Sequence, residues 1–343
     1  MRRGSLIQLV ALGVVFGVIA SLVAVLVPWL PDPAGKEAER IDFVFWFTTV
    51  ISIVIFAVVA AVIAYAVLRF RVKPDDDTDG PPIHGHTGLE IVWTAIPAVL
   101  VTAISIVSAV VLAQNGNAGT HPLKVKVIGQ QFAWTFDYGH GVKTGRLVLP
   151  VMKKDQHVEL LITAKETDVL HSFWVPQLGQ KQDAVPGQVN KLVITPNRLG
   201  TFPVICTELC GLGHALMRSE VQIMEPAKFE QWLKQQSGGT PAAGGATGAA
   251  LAAKVFAANG CGSCHTFAPA KATAKVGPDL DKLAAEAKRA GKPLEAFVKQ
   301  SIVDPNAYVE PGFPKGVMPP NFGDTIKPNE LDALVQYLTR GGK

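Results

Sequence analysis

Cys206-Thr-Glu-Leu-Cys210-Gly-Leu-Gly-His214-Ala-Leu-Met217 places two thiols, an imidazole and a thioether within one short stretch. These are soft and borderline donors, which suit copper better than magnesium or calcium. A mononuclear blue-copper centre needs one thiolate, one Met and two His, so a second Cys leaves ligand capacity for a second metal. The run reads as a dinuclear copper loop. A disulfide between Cys206 and Cys210 and a structural zinc site are the competing readings, and neither explains a Met at a fixed step after His214. The missing second imidazole is sought upstream. His171 lies in Asp168-Val-Leu-His171-Ser-Phe-Trp-Val-Pro176, where the alternating apolar residues predict the end of a strand.

Around this loop the texture is that of short alternating strands: Val125 and Val127; Phe132, Trp134 and Phe136; Val158, Leu160 and Ile162; Leu192 and Ile194; Val221 and Ile223. Strands at regular spacing with Gly, Pro and Asn turns predict a β-sandwich or barrel. A copper loop between two late strands fits a cupredoxin over residues 121–236. Residues 237–250 are rich in Gly, Ala, Ser and Thr and read as a flexible linker.

Beyond the linker, residues 251–343 turn helical, with Leu331, Leu334, Val335 and Leu338 at helical spacing behind a first-turn Pro328. They open on Cys261-Gly-Ser-Cys264-His265. This is the attachment signature of a c-type haem, in which two thioethers hold the porphyrin and the adjacent His is the proximal ligand. A thioredoxin-like dithiol is the alternative and requires a βαβ context that the segment lacks. Met318, between Gly316-Val and Pro319-Pro320, is the one Met after the linker and the candidate second axial ligand. Gly277-Pro278-Asp279-Leu280 resembles the loop that follows the haem motif in bacterial class I cytochromes c.

The 343 residues leave room for two compact domains besides membrane segments. All four cysteines belong to the two motifs, so none remains for a structural disulfide. A net charge of +4, with lysines spread rather than clustered among aromatics, makes no case for nucleic acid. Mean hydropathy is positive, at +0.27, and the apolar character is concentrated in three stretches, 6–30, 43–68 and 91–113. Each reaches the roughly 20 apolar residues a bilayer core requires. Arg2 and Arg3 precede the first stretch, and Arg69, Arg71 and Lys73 follow the second, so the N-terminus and the connector to the third stretch are expected in the cytoplasm and both metal domains outside. Residues 1–30 read either as a cleaved signal peptide, which the basic start favours, or as an extra transmembrane helix; no Ala-x-Ala site is evident.

Over roughly residues 40–235, the pairing of Asp-Val-Leu-His-Ser-Phe-Trp-Val-Pro with Cys-x-Glu-x-Cys-Gly-x-x-His-x-x-Met resembles subunit II of haem-copper cytochrome c oxidase, and the fused c domain resembles the caa3 type. The resemblance implies a dinuclear CuA centre held by His171, Cys206, Cys210, His214, Met217 and the backbone carbonyl of Glu208, whose side chain would serve a magnesium or manganese ion at the subunit I boundary. Glu90-Ile-Val-Trp93-Thr-Ala-Ile-Pro97, in a helical hairpin over 41–115, is similar to the family's Glu-x-x-Trp-Thr-x-x-Pro. There the resemblance implies a Glu at the cytoplasmic mouth of a proton channel; a carboxylate that only ends the helix is the alternative. Gly129-Gln-Gln-Phe132-Ala-Trp134-Thr-Phe136-Asp-Tyr138 is similar to the aromatic segment over CuA, with Phe132 where the family has the Trp of electron entry. Lys181-Gln-Asp183-Ala-Val-Pro-Gly187 matches a further family turn.

The function so implied is electron entry to a respiratory terminal oxidase of the bacterial plasma membrane. Electrons would pass from cytochrome c or a quinol-oxidising complex through haem c and CuA to subunit I, with subunit III and membrane lipid as further partners and proton translocation as the coupled process. Oxygen reduction belongs to the partner, since this chain has no His cluster for a haem a or a further copper. The rival readings are the CuA and haem c subunit of a nitric oxide reductase and a membrane-tethered copper chaperone, the latter requiring one membrane anchor, no Met217 and no haem.

Overall fold

The computed structural model describes residues 3–71, 82, 85–153, 156–237, 248–320 and 322–341; Arg2, Lys73 and the linker over 238–247 lie outside them. Two compact units emerge, one comprising the chain up to Asp32 with Ala38–Gly116, the other Pro33–Glu37 with Asn117–Lys343.

The first unit is helical. The helices are α1 (Arg3–Leu26), α2 (Lys36–Arg69) and α3 (Thr87–Asn115), each long and apolar enough to cross a membrane. In α1, Gly13 and Gly17 lie one turn apart and face Ala61 and Ala57 of α2, and Phe16 sets its ring edge-on to Phe56 at 6.4 Å. Small residues let two helix backbones approach closely where lipid provides no hydrophobic drive for association. Arg40 Nη1 donates to Asn115 Oδ1 at 3.0 Å, tying the start of α2 to the end of α3. The hairpin is longer than its apolar stretches, because the polar turn Lys36-Glu-Ala-Glu-Arg40 consists of good helix formers and continues α2 outward.

The second unit contains a sandwich of two five-stranded sheets. Its strands are β1 (Leu123–Gln130), β2 (Ala133–Asp137), β3 (Lys143–Thr144), β4 (Leu147–Pro150), β5 (Val158–Ala164), β6 (His171–Trp174), β7 (Lys181–Ala184), β8 (Asn190–Ile194), β9 (Gly200–Cys206) and β10 (Arg218–Met224). The sheet orders are β3-β2-β1-β5-β8 and β4-β10-β9-β6-β7. Every strand expected from alternation is present. Phe132 is the one member of those alternations that falls outside its strand, in the turn between β1 and β2. Inward residues Val125, Val127, Phe136, Leu147, Leu160, Ile162, Phe173, Val204 and Val221 form the core. Helix α4 (Pro226–Ser237) then lays Phe229 and Trp232 against Tyr138.

Residues 33–37 belong to this sandwich. Ala34, fully buried, donates its amide to Gln177 O at 2.7 Å and accepts from Asn197 N at 3.0 Å. The buried Glu37 carboxylate accepts from the Thr195 amide and hydroxyl, both at 2.7 Å, and His157 Nδ1 lies 2.7 Å from the same hydroxyl.

The C-terminal part is helical: α5 (Gly248–Ala258), α6 (Leu283–Arg289), α7 (Leu294–Val303), α8 (Phe322–Thr325) and α9 (Pro328–Gly341). Pro328 is the first residue of α9, a position that needs no amide donor. Leu331, Leu334, Val335 and Leu338 of α9 pack with Val255, Phe256, Phe267, Phe297 and Val298 into a separate core.

Candidate metal centres

The loop that leaves β9 and returns through β10 brings the sulfur ligands together. Cys206 ends β9, and Met217 immediately precedes β10; these strands pair antiparallel, so their ends are forced close. His171 opens β6, the neighbour of β9 on its other side, with Phe173 in register with Cys206. Strand pairing thus joins residues 35 positions apart in sequence.

The donors converge. Cys206 Sγ and Cys210 Sγ are 3.9 Å apart; His171 Nδ1 is 4.0 Å from Cys206 Sγ, His214 Nδ1 is 3.5 Å from Cys210 Sγ, and Met217 Sδ is 3.8 Å from it. Glu208 O lies 3.3 Å from Cys206 Sγ. His171, Cys206, Cys210 and Met217 are buried and His214 half-buried. Burial, reinforced by the neighbouring Cys206, pushes the Cys210 thiol up to about 12. A cation must therefore displace a proton to bind there, as metal sites built on thiolate require. Two thiols, two imidazoles and one thioether on mutually facing atoms fit copper by donor softness.

Four neighbours shape the site. Asp168 Oδ1 lies 3.4 Å from His171 Nε2, the ring nitrogen turned away from the sulfurs, while Oδ2 accepts from the Gln131 amide at 2.9 Å. Burial lowers the pKa of His171 and Asp168 opposes the shift, which leaves the imidazole neutral and available as a ligand. The Phe132 ring lies on the glycines of the loop: a Cβ at Gly213 would enter the ring, and one at Gly211 would come within 3.3 Å of it. Gln131 Nε2 donates to Cys210 O. Trp134 is buried, edge-on to His171 and Phe173 at 6.2 and 5.4 Å. Gly213 and Gln131 are not ligand types, and their role is to leave room or to reach back across the sandwich.

The second site has the geometry of a haem crevice. His265 Nδ1 lies 2.8 Å from Pro278 O, a contact that orients the ring and leaves Nε2 for a metal. Gly277 is required there, since a Cβ would meet His265 Cε1 at 2.5 Å. Cys261, Cys264, His265 and Met318 line one cavity of about 620 Å³ with Phe256, Leu283 and Leu334. Burial lowers the pKa of His265, so the neutral, ligating form prevails. Thiols, imidazole, thioether and an apolar cavity fit a covalently held haem.

Glu90 lies in the first turn of α3. It accepts from His86 N at 3.0 Å while His86 Nδ1 accepts from Leu89 N at 3.2 Å, a reciprocal cap.

Gly213→Val should drive the Phe132 ring off the loop, costing about 1–3 kcal/mol as an overpacked core does. Metal analysis and electron paramagnetic resonance should show two coppers per chain in the wild type and a reduced, spectrally altered complement in the variant. A single copper in the wild type would overturn the dinuclear expectation drawn from the sequence.

The comparisons accord with this geometry. Residues 21–111 match the transmembrane domain of cytochrome c oxidase subunit II, residues 141–224 its periplasmic domain and residues 249–341 cytochrome c. Cytochrome c oxidase subunit 2 of Synechocystis sp. is 34% identical over 278 residues, 67% of this chain and 82% of that protein. The subunit 2 of Alkalihalophilus pseudofirmus is 30% identical over 321 residues, 90% of this chain and 89% of its own length, and that of Bacillus subtilis is 30% identical over 331 residues, 89% of each. A copper-type ligand cluster, a haem crevice and three membrane-length helices thus occur in a chain that belongs to the cytochrome c oxidase subunit II family, a subunit of haem-copper terminal oxidases, here with a fused cytochrome c domain.

Proposed function

We propose that this chain receives electrons at haem c and passes them through a dinuclear CuA centre to subunit I of a terminal oxidase in the bacterial plasma membrane, coupled to proton translocation. The observation that carries the reading is the shared cavity. Its walls include Cys261, His265 and Met318 on one side and Phe132, Phe202 and Leu216 of the sandwich on the other. The bound groups would supply the one-electron chemistry. Cys261 and Cys264 would tether the porphyrin, and His265 and Met318 would hold its iron. His171, Cys206, Cys210, His214, Met217 and the Glu208 carbonyl hold copper, the Glu208 carboxylate serves a magnesium or manganese ion towards subunit I, and subunit III completes the partner set. Cytochrome c or a quinol-oxidising complex is the donor. Phe132 is 8% exposed and packed on the copper loop, so it and Trp134 form a closed apolar path suited to a donor carried on the same chain.

Deleting residues 251–343 should depress oxidation of external cytochrome c far more than oxidation of a small reductant that reaches the copper directly. Equal loss for both would reduce the c domain to a structural role, and undiminished cytochrome oxidation would exclude it as the entry point.

Glu90 is proposed as the cytoplasmic entrance of a proton path. Its cap on His86 favours the alternative of a helix-ending carboxylate, and the two separate by experiment. Glu90→Ala should slow turnover while leaving the rate of copper reduction intact; unchanged turnover leaves Glu90 as a cap alone.

For residues 1–30, the packing of Gly13 and Gly17 on α2 supports a retained membrane helix over a cleaved signal. N-terminal sequencing of the purified subunit should find α1 present, and a start beyond residue 30 would overturn this.

A further inference from the structure

Glu286, in α6, is 5% exposed and lines the same cavity as Cys261, His265 and Met318. A buried acid in an apolar redox cavity needs a reason, because an uncompensated charge there is costly. The two cations that act on it are engaged elsewhere: Arg289, one turn along α6, pairs with Glu310, and Lys282 pairs with Asp279 at 3.2 Å. Tyr308 donates its hydroxyl to Glu310 at 3.2 Å. From α7 and α9 the cavity receives the apolar Phe297, Val298, Leu334 and Leu338. Burial and the nearby Glu310 push the Glu286 carboxyl up to about 7; Asp279 adds to the rise, and Arg289 and Lys282 oppose it.

A carboxyl that ionises in the cavity where an electron arrives must respond to that electron, since the two charges repel and the coupling is reciprocal. We propose that Glu286 is the proton-linked group of the haem domain: its carboxylate takes up a proton from solvent when the domain receives an electron, and releases it when the electron leaves. This rests on the haem c assignment above. The balance is one electron from the oxidase's donor onto the iron, ferric to ferrous, and one solvent proton forming an O–H bond on Glu286. The signs follow. Ionised Glu286 favours the ferric state, so the midpoint potential falls as pH rises through the window around 7 and is level below it.

The test is a potentiometric titration of the haem absorption in the intact oxidase at pH values from below 6 to above 8. The wild type should show the falling segment, and Glu286→Gln should be level across it. Glu310→Gln should move the segment to lower pH, because it removes a like charge and frees Arg289. A level wild type, or a Glu286→Gln titration with the wild-type slope, overturns the proposal. Should Glu286→Gln not incorporate haem, redox-difference infrared spectra of the wild type decide. A carboxylic C=O band must then appear on reduction near pH 7, and its absence counts against Glu286. A wild type that binds no haem would instead overturn the assignment on which the proposal rests.

Discussion

The sandwich end is organised by one requirement: four soft or borderline donors contributed by residues 206–217 must be held against one another, the three sulfurs away from water. Cys206, Cys210 and Met217 are 3%, 2% and 0% exposed, and the cost of burying ionisable thiols shows in the raised Cys210. A cation that binds at Cys210 must displace its proton. The paired ends of β9 and β10 set the distance between the loop's two feet, and β6 brings His171 to the same edge. Phe132 closes the top, which only two glycines beneath it permit.

The two centres use opposite means of support. Around the candidate copper donors, long-range strand pairing fixes the positions, and the loop itself is short. In the haem domain His265 is oriented locally, by the Pro278 carbonyl within the same stretch, and helices α5, α6, α7 and α9 contribute walls of the cavity it lines. The helical domain can therefore carry an internal acid such as Glu286 on a wall, whereas the sandwich uses its buried acids as structural acceptors: Glu37 on Thr195, and Glu159 between Lys124 and Lys191 at 3.6 and 3.4 Å. The Glu37 contact also makes residues 33–37 a strap of the sandwich, although they adjoin the first unit in sequence.

Much of the molecule was legible before any coordinates. Ligand types at short spacing, Cys206 to Met217 and Cys261 to His265, determine the two cofactor classes, because donor softness and thioether attachment are properties of residue type and interval. Alternating and continuous apolar runs likewise determine strands and membrane-length helices, since backbone geometry sets those periods. The tertiary structure alone decided which distant groups serve the sites. Gly213 under Phe132, Glu37 on Thr195 and Glu286 in the haem cavity carry no periodic or spacing signal, and the contacts of Gly277 with His265 and of Asp168 with His171 appear only in the folded chain. Their roles arise from space and dielectric, which exist only once β1, β6, β9 and the helices of the c domain are packed together.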